Sequence, residues 1–158
     1  MHCNIWADGA CSHNGKKNAV GGWAYVIVDP YRRILARDSA AEAPSTNNRM
    51  EIMGILKGLK KFDEMFPSGF DTCTIITDSA YVFNCKEKKW YESWMRNGWT
   101  NYSGEPVKNA ELWRELIPYF DRINKLVEDA REEQADRTQN EDEDEEGADW
   151  LDGWIPIL

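Results

Sequence analysis

Histidine is nearly missing from this chain: there are two in 158 residues, His2 and His13. Four cysteines (Cys3, Cys11, Cys73, Cys85) form no CxxC pair. That combination excludes a His/Cys zinc site and a disulfide framework. The thiols read as buried or bystander groups of a reducing compartment, so a cytoplasmic location is expected. No apolar run nears the ~18 residues that cross a bilayer. The stretch before Asp8 also lacks an apolar segment of signal-peptide length, so no membrane partner is expected. Positive charge is short as well, with 19 Lys+Arg against 28 Asp+Glu and a net charge of −9. Taken whole, that balance argues against a polyanionic partner.

The average hides two regions. Residues 128–158 hold 13 acids and 2 bases, a local net of −11. Of the totals, the remaining chain keeps 15 acids and 17 bases, a net of +2. A mildly basic body precedes a strongly acidic tail. Hydrophobic residues at 42% and aromatics at 12% are enough for a packed core. The length suits one domain.

The element order reads from pattern. Cys3 to Ala7 is a short strand that Asp8 closes. Val20 to Val28 (VGGWAYVIV) is apolar throughout, as a strand buried on both faces is. Asp29-Pro30 turns the chain and Arg32 to Ala40 returns antiparallel. Ser45, Thr46 and Asn47 offer N-caps for a helix to about Phe62, with Met50, Met53, Leu56 and Leu59 at helical spacing. Thr72 to Thr77 is a further strand, and Ser79 begins a second helix. The order β-β-β-α-β-α predicts an α/β fold with a mixed sheet packed by helices.

Three acids fall at telling places. Asp8 and Asp78 end strands, and Glu51 lies in the first turn of the helix after the hairpin. If the two strands are neighbours, their ends meet at the sheet edge where α/β folds place ligands. Converging carboxylates repel one another unless a cation intervenes, and hard divalent ions prefer oxygen ligands. Each residue alone reads as readily as a turn, cap or dipole partner.

The surrounding motifs resemble the type 1 ribonuclease H family. Ile5-Trp6-Ala7-Asp8-Gly9-Ala10-Cys11-Ser12 is similar to the family's opening strand. Thr46-Asn47-Asn48-Arg49-Met50-Glu51 is similar to its TNNRME helix start, and Thr77-Asp78-Ser79-Ala80-Tyr81-Val82 to its TDSxYV junction. Lys89-Trp90, Asn97-Gly98-Trp99, Pro106-Val107-Lys108-Asn109 and Leu112-Trp113 follow its basic handle. The likeness runs in order from about residue 3 to 116.

The resemblance implies a ribonuclease H-like sheet, five-stranded or truncated to four, in a domain over 1–138 with a handle at 86–108. It implies an endonuclease that cuts the RNA strand of RNA–DNA hybrids with two Mg²⁺, or Mn²⁺ in their place. Asp8, Glu51 and Asp78 become metal ligands and catalytic residues. Asn14, Thr46, Asn47, Asn48, Lys88, Lys89, Trp90, Lys108 and Asn109 become hybrid contacts. A hybrid-binding module with weak or lost catalysis is the alternative. The three carboxylates speak against it, since a pure binder gains nothing from a repulsive cluster.

The likeness weakens after Leu116. Arg131 to Asp136 resembles the family's last carboxylate motif and makes Asp136 the fourth ligand, with a solvated acidic face as the other reading. Leu116 to Asp136 looks too short for a strand plus the family's histidine-bearing loop, and Tyr119 to Ala135 reads as one charged helix with Pro118 at its start. The loop histidine is absent, which implies slower turnover. His13 reads first as a substrate-side residue and second as a substitute acid. The tail at 139–158 ends in an apolar stretch, Trp150 to Leu158. It reads either as a docking peptide for a protein partner or as a nucleic-acid mimic over the basic groove.

Overall fold

The computed structural model describes residues 1–121 and 123–127. Asp136, the domain boundary at 138 and the tail at 139–158 lie outside the described residues. The elements are β1 (His2–Ser12), β2 (Val20–Val28), β3 (Ile34–Glu42), α1 (Asn47–Met65), β4 (Thr72–Ile76), α2 (Ala80–Glu87), α3 (Trp90–Arg96), α4 (Ala110–Leu116), a 3-10 turn (Ile117–Asp121) and β5 (Ile123–Val127).

One sheet of five strands runs in the order β3-β2-β1-β4-β5. β1 pairs antiparallel with β2 and parallel with β4, and β5 adds a second parallel pair. β2 is buried on both faces from Trp23 to Val28, as its unbroken apolar run requires. β3 forms one edge and leaves most of its residues exposed, Arg37 and Asp38 among them.

The helix α1 lies across β1 and β2. Thr46 caps it, its Oγ1 accepting from the Arg49 N–H at 3.1 Å. The buried face comprises Met50, Ile52, Gly54, Ile55, Leu56, Gly58, Leu59 and Phe62. Two glycines inside a helix each disfavour it by ~1 kcal/mol. Each buried Leu, Ile or Phe returns roughly 1.5–3 kcal/mol, so packing decides. The glycines serve close approach. A Cβ on Gly54 would stand 3.0 Å from the carbonyl oxygens of Asp8 and Ala24. On the strand side, a Cβ at Gly9 would stand 2.3 Å from the Met50 carbonyl carbon and 2.5 Å from the Glu51 nitrogen.

The sheet has the five strands expected, and the truncated alternative falls. Three other expectations change. The charged helix expected from Tyr119 is absent where the structure describes the chain. A 3-10 turn holding Pro118 leads to β5, whose Ile123 is buried beside Cys73 of β4. Pairing with a waiting strand edge there outweighs helical propensity. Asp8 does not close β1: pairing with β4 ends at Trp6↔Ile76, but pairing with β2 continues to Ser12↔Val20. Finally α1 begins at Asn47, which moves Glu51 out of its first turn and into the second.

The Gly9 contact predicts a large effect from one methyl group. Gly9→Ala should lower stability by about 3 kcal/mol, because the neighbouring atoms are backbone and cannot rotate away. A calorimetric midpoint equal to that of the wild type would show that α1 does not sit this close.

Candidate active site

Register places the first two carboxylates. β1 and β4 run parallel and their last pair is Trp6↔Ile76. Two residues further along each chain stand Asp8 and Asp78. β1 continues there against β2, with Asp8 opposite Ala24, whereas β4 has ended and the chain turns into α2. A notch opens in the sheet at that point.

The turn holding Asp78 is fixed by its neighbours. Thr77 Oγ1 accepts from the Ser79 N–H at 3.1 Å, and Ser79 Oγ accepts from the Val82 N–H at 3.1 Å, capping α2. Both residues are buried. Glu51 arrives from the opposite direction, carried by α1 and pressed against β1 at Gly9. One carboxylate oxygen from each of Asp8, Glu51 and Asp78 lies within 4.8 Å of the others, and all three residues are half-buried.

Such a group cannot hold three bare charges. Two like charges at ~4 Å repel by about 4 kcal/mol at an effective dielectric constant near 20. Asp8 registers the strain. Burial lifts its carboxyl first, the Asp78 charge lifts it further, and Glu51 and a hydrogen bond shared with Asp78 add to the rise. The Gly9 N–H, donating to Asp8 Oδ1 at 2.8 Å, opposes them. The result is about 8. A proton at neutral pH, or a divalent cation, relieves the cluster. All the donors are carboxylate oxygens, the set that hard divalent ions take.

The other predicted residues sit around this centre in different states. Asn47 Oδ1 accepts from the Cys11 N–H at 2.7 Å, and Asn14 Oδ1 accepts from the Asn47 N–H at 3.0 Å. The two amides thus tie the end of β1 to the head of α1, and each keeps its NH₂ as a donor. Asn48, Lys88, Lys89 and Lys108 are exposed, and Lys89 has left-handed backbone at φ 57°. Trp90 is half-buried, its ring tilted 50° to Tyr81 at 6.4 Å. Trp90 and Trp94 both pack against the core, as their helical spacing suggests.

One residue of the TNNRME stretch carries a role that sequence reading does not assign. Arg49 Nη1 donates to Glu111 Oε1 and, at 3.5 Å, to Asn109 Oδ1, while its Nε donates to Glu42 Oε1. Its partners lie seven, sixty and sixty-two positions away, at separations no local pattern registers.

The family model described as RNase H matches residues 1–142 of this chain. The chain belongs to the ribonuclease H family. It is 38% identical over 133 residues to the ribonuclease H of Syntrophomonas wolfei subsp. wolfei, which covers 84% of this chain and 85% of the relative. Against the ribonuclease H of Nitratidesulfovibrio vulgaris (strain DSM 19637 / Miyazaki F), identity is 42% over 117 residues, or 73% and 68% of the two chains. Among solved structures, a foamy viral protease-reverse transcriptase in complex with dsDNA superposes with a TM-score of 0.65 at 21% identity, covering 79% of each chain. LC11-RNase H1, solved in complex with an RNA/DNA hybrid, gives 0.59 at 18% identity and covers 79% of this chain and 81% of its own. Both share the ribonuclease H fold described above.

The raised Asp8 carboxyl makes stability depend on pH. Its folded value of about 8 lies above the ordinary 3.8. Its protonated form therefore supports the fold fully below the ordinary value, and that support is lost as pH rises through the folded one. Without divalent ions, Asp8→Asn should melt higher than wild type above that value, by ~1–3 kcal/mol, with the gap closing in acid. Added Mg²⁺ should raise the wild-type midpoint and leave the variant nearly unmoved. A gap that ignores pH, or equal stabilisation of both proteins by Mg²⁺, would remove this account of the cluster.

Proposed function

We propose that this protein is an endonuclease that hydrolyses the RNA strand of RNA–DNA hybrids, with Asp8, Glu51 and Asp78 holding Mg²⁺ or Mn²⁺. The observation that carries the reading is the convergence of these carboxylates within 4.8 Å in a ribonuclease H chain. The curated relatives named ribonuclease H support it, as does the hybrid in the complex of LC11-RNase H1. A module that only binds would carry the same mutual repulsion with no return for it.

Divalent ions bound at such a site lower the pKa of an attacking water and neutralise charge on the leaving oxygen. The protein supplies position. Gly9 N–H orients the Asp8 carboxylate, the Thr77 and Ser79 hydroxyls fix the turn of Asp78, and α1 delivers Glu51. In the reaction the water oxygen bonds to phosphorus and the P–O3′ bond breaks, leaving a 5′-phosphate and a 3′-hydroxyl. Among the described residues no histidine joins the cluster, and both ring nitrogens of His2 bond to the Thr72 and Thr74 hydroxyls at 2.8 Å. The 3′ oxygen leaves as the alcohol after taking one proton, and neither histidine of the chain is placed in the cluster to give it.

Asn14, Thr46, Asn47, Asn48 and Asn109 offer short amides and hydroxyls, which suit 2′-OH groups and backbone in a wide minor groove. Lys88, Lys89 and Lys108 offer exposed charge to phosphates, and the half-buried Trp90 follows Lys89 in the chain.

A labelled RNA–DNA hybrid, set beside single-stranded RNA and duplex DNA, tests the reading with either ion present. Only the hybrid should be cut, and Asp78→Asn should lower kcat at least ~100-fold while hybrid binding survives. Wild-type protein that leaves the hybrid whole with both ions, or an Asp78→Asn variant that cuts normally, would overturn it. Binding should also weaken linearly with the logarithm of salt concentration, and Lys88→Ala or Lys89→Ala should each flatten that slope by about one unit.

A further inference from the structure

Arg49 holds together two residues that the functional reading places against the hybrid, and they belong to different parts of the chain. Its backbone N–H donates to Thr46 Oγ1 at 3.1 Å, so the Thr46 hydroxyl oxygen is held as an acceptor and its O–H is left as a donor. Its guanidinium reaches Asn109, at the end of the handle, and Glu111 in the first turn of α4. Asn109 has left-handed backbone, φ 60°, and its side chain makes no capping hydrogen bond to α4. The Asn109 amide oxygen instead accepts from Arg49 Nη1 at 3.5 Å. The hold comes from Arg49, anchored in turn on Glu42 at the end of β3.

The charges decide what Arg49 does. One guanidinium pairs with two carboxylates, Glu42 and Glu111, and Arg114 also acts on Glu111, so the Arg49 charge is engaged within the protein. Its side chain is only 26% exposed. Charge-assisted hydrogen bonds of this kind fix geometry better than exposed ion pairs, because the planar fork sets direction as well as distance.

We propose that Arg49 is a positioning residue for hybrid binding, setting Thr46 through its backbone and Asn109 through its side chain so that the two meet the substrate as one unit. The inference rests on the hybrid reading above. It explains why a buried-side arginine stands two residues before Glu51 without joining the carboxylates: it couples the head of α1 to the far end of the handle.

The test compares Arg49→Gln, Glu111→Gln and the double variant. Hybrid affinity is measured by fluorescence anisotropy in EDTA at several salt concentrations, and KM and kcat are measured with Mg²⁺. Each single variant should weaken binding and raise KM about fivefold, with kcat within about twofold of wild type. The double variant should be no worse than Arg49→Gln alone, since Arg49→Gln already removes the ion pair that Glu111→Gln cuts. The salt slope should match that of the wild type, because Arg49 neutralises no phosphate. Glu111 is an exposed acid, so Glu111→Gln reports even if Arg49→Gln unfolds, which the thermal midpoints reveal. Wild-type affinity in Glu111→Gln, additive losses in the double variant, or a slope flattened by about one unit in Arg49→Gln would each overturn the positioning role. A wild type that neither binds nor cuts the hybrid removes the functional reading instead.

Discussion

At Gly9 the backbone of β1 and the backbone at the start of α1 touch with no side chain between them, and the active centre follows from that contact. Side chains on both partners at this point would hold the helix off the strand by their own bulk and keep Glu51 from the strand. Glycine on both partners, Gly9 on the strand and Gly54 on the helix, removes the spacer. The apolar face of α1 then supplies the energy, and the Thr46 cap fixes where the helix begins. Glu51 comes to Asp8 because of how the helix packs, independent of any attraction between the two acids.

That independence matters, since the acids repel. The core holds together three charges that would separate in a looser structure. Burial on the strand side and the buried Thr77 and Ser79 hydroxyls on the other leave the carboxylates little freedom to turn away. The cluster is in this sense a strained element supported by the packing around it, as metal and catalytic sites commonly are. The rest of the surface contributes differently. Asn14 and Asn47 each use one amide oxygen for the fold and keep their donors for contact, so a single side chain both braces the site and faces outward.

Much of this was legible from residue order. Asp8, Glu51 and Asp78 could be found because each lies in a short contiguous stretch that resembles a family motif: a strand bearing Asp-Gly, a capped helix, a strand running into a serine cap. The apolar spacing of α1 and the unbroken run of β2 gave the main layers for the same reason. What stayed hidden depends on distant partners. β5 is five residues among charges, and only the open edge of β4 makes it a strand. Asp8 looked terminal because β1 loses one neighbour there, although it keeps the other. Arg49 sat in a motif that was read for its asparagines and its glutamate, while its own contacts lie with β3 and α4.

The outer strand β3 has a bearing on how the molecule behaves in company. A sheet edge offers a row of unsatisfied backbone donors and acceptors to any passing strand. Here the edge carries Arg37 and Asp38 in the open, and Pro44 follows just past Glu42. A second chain laying a strand alongside would have to strip water from both charges and would meet, at the proline, a residue with no N–H to give. Those residues cap the lateral growth of the sheet on that side, which favours separate molecules in solution over strand-to-strand aggregates.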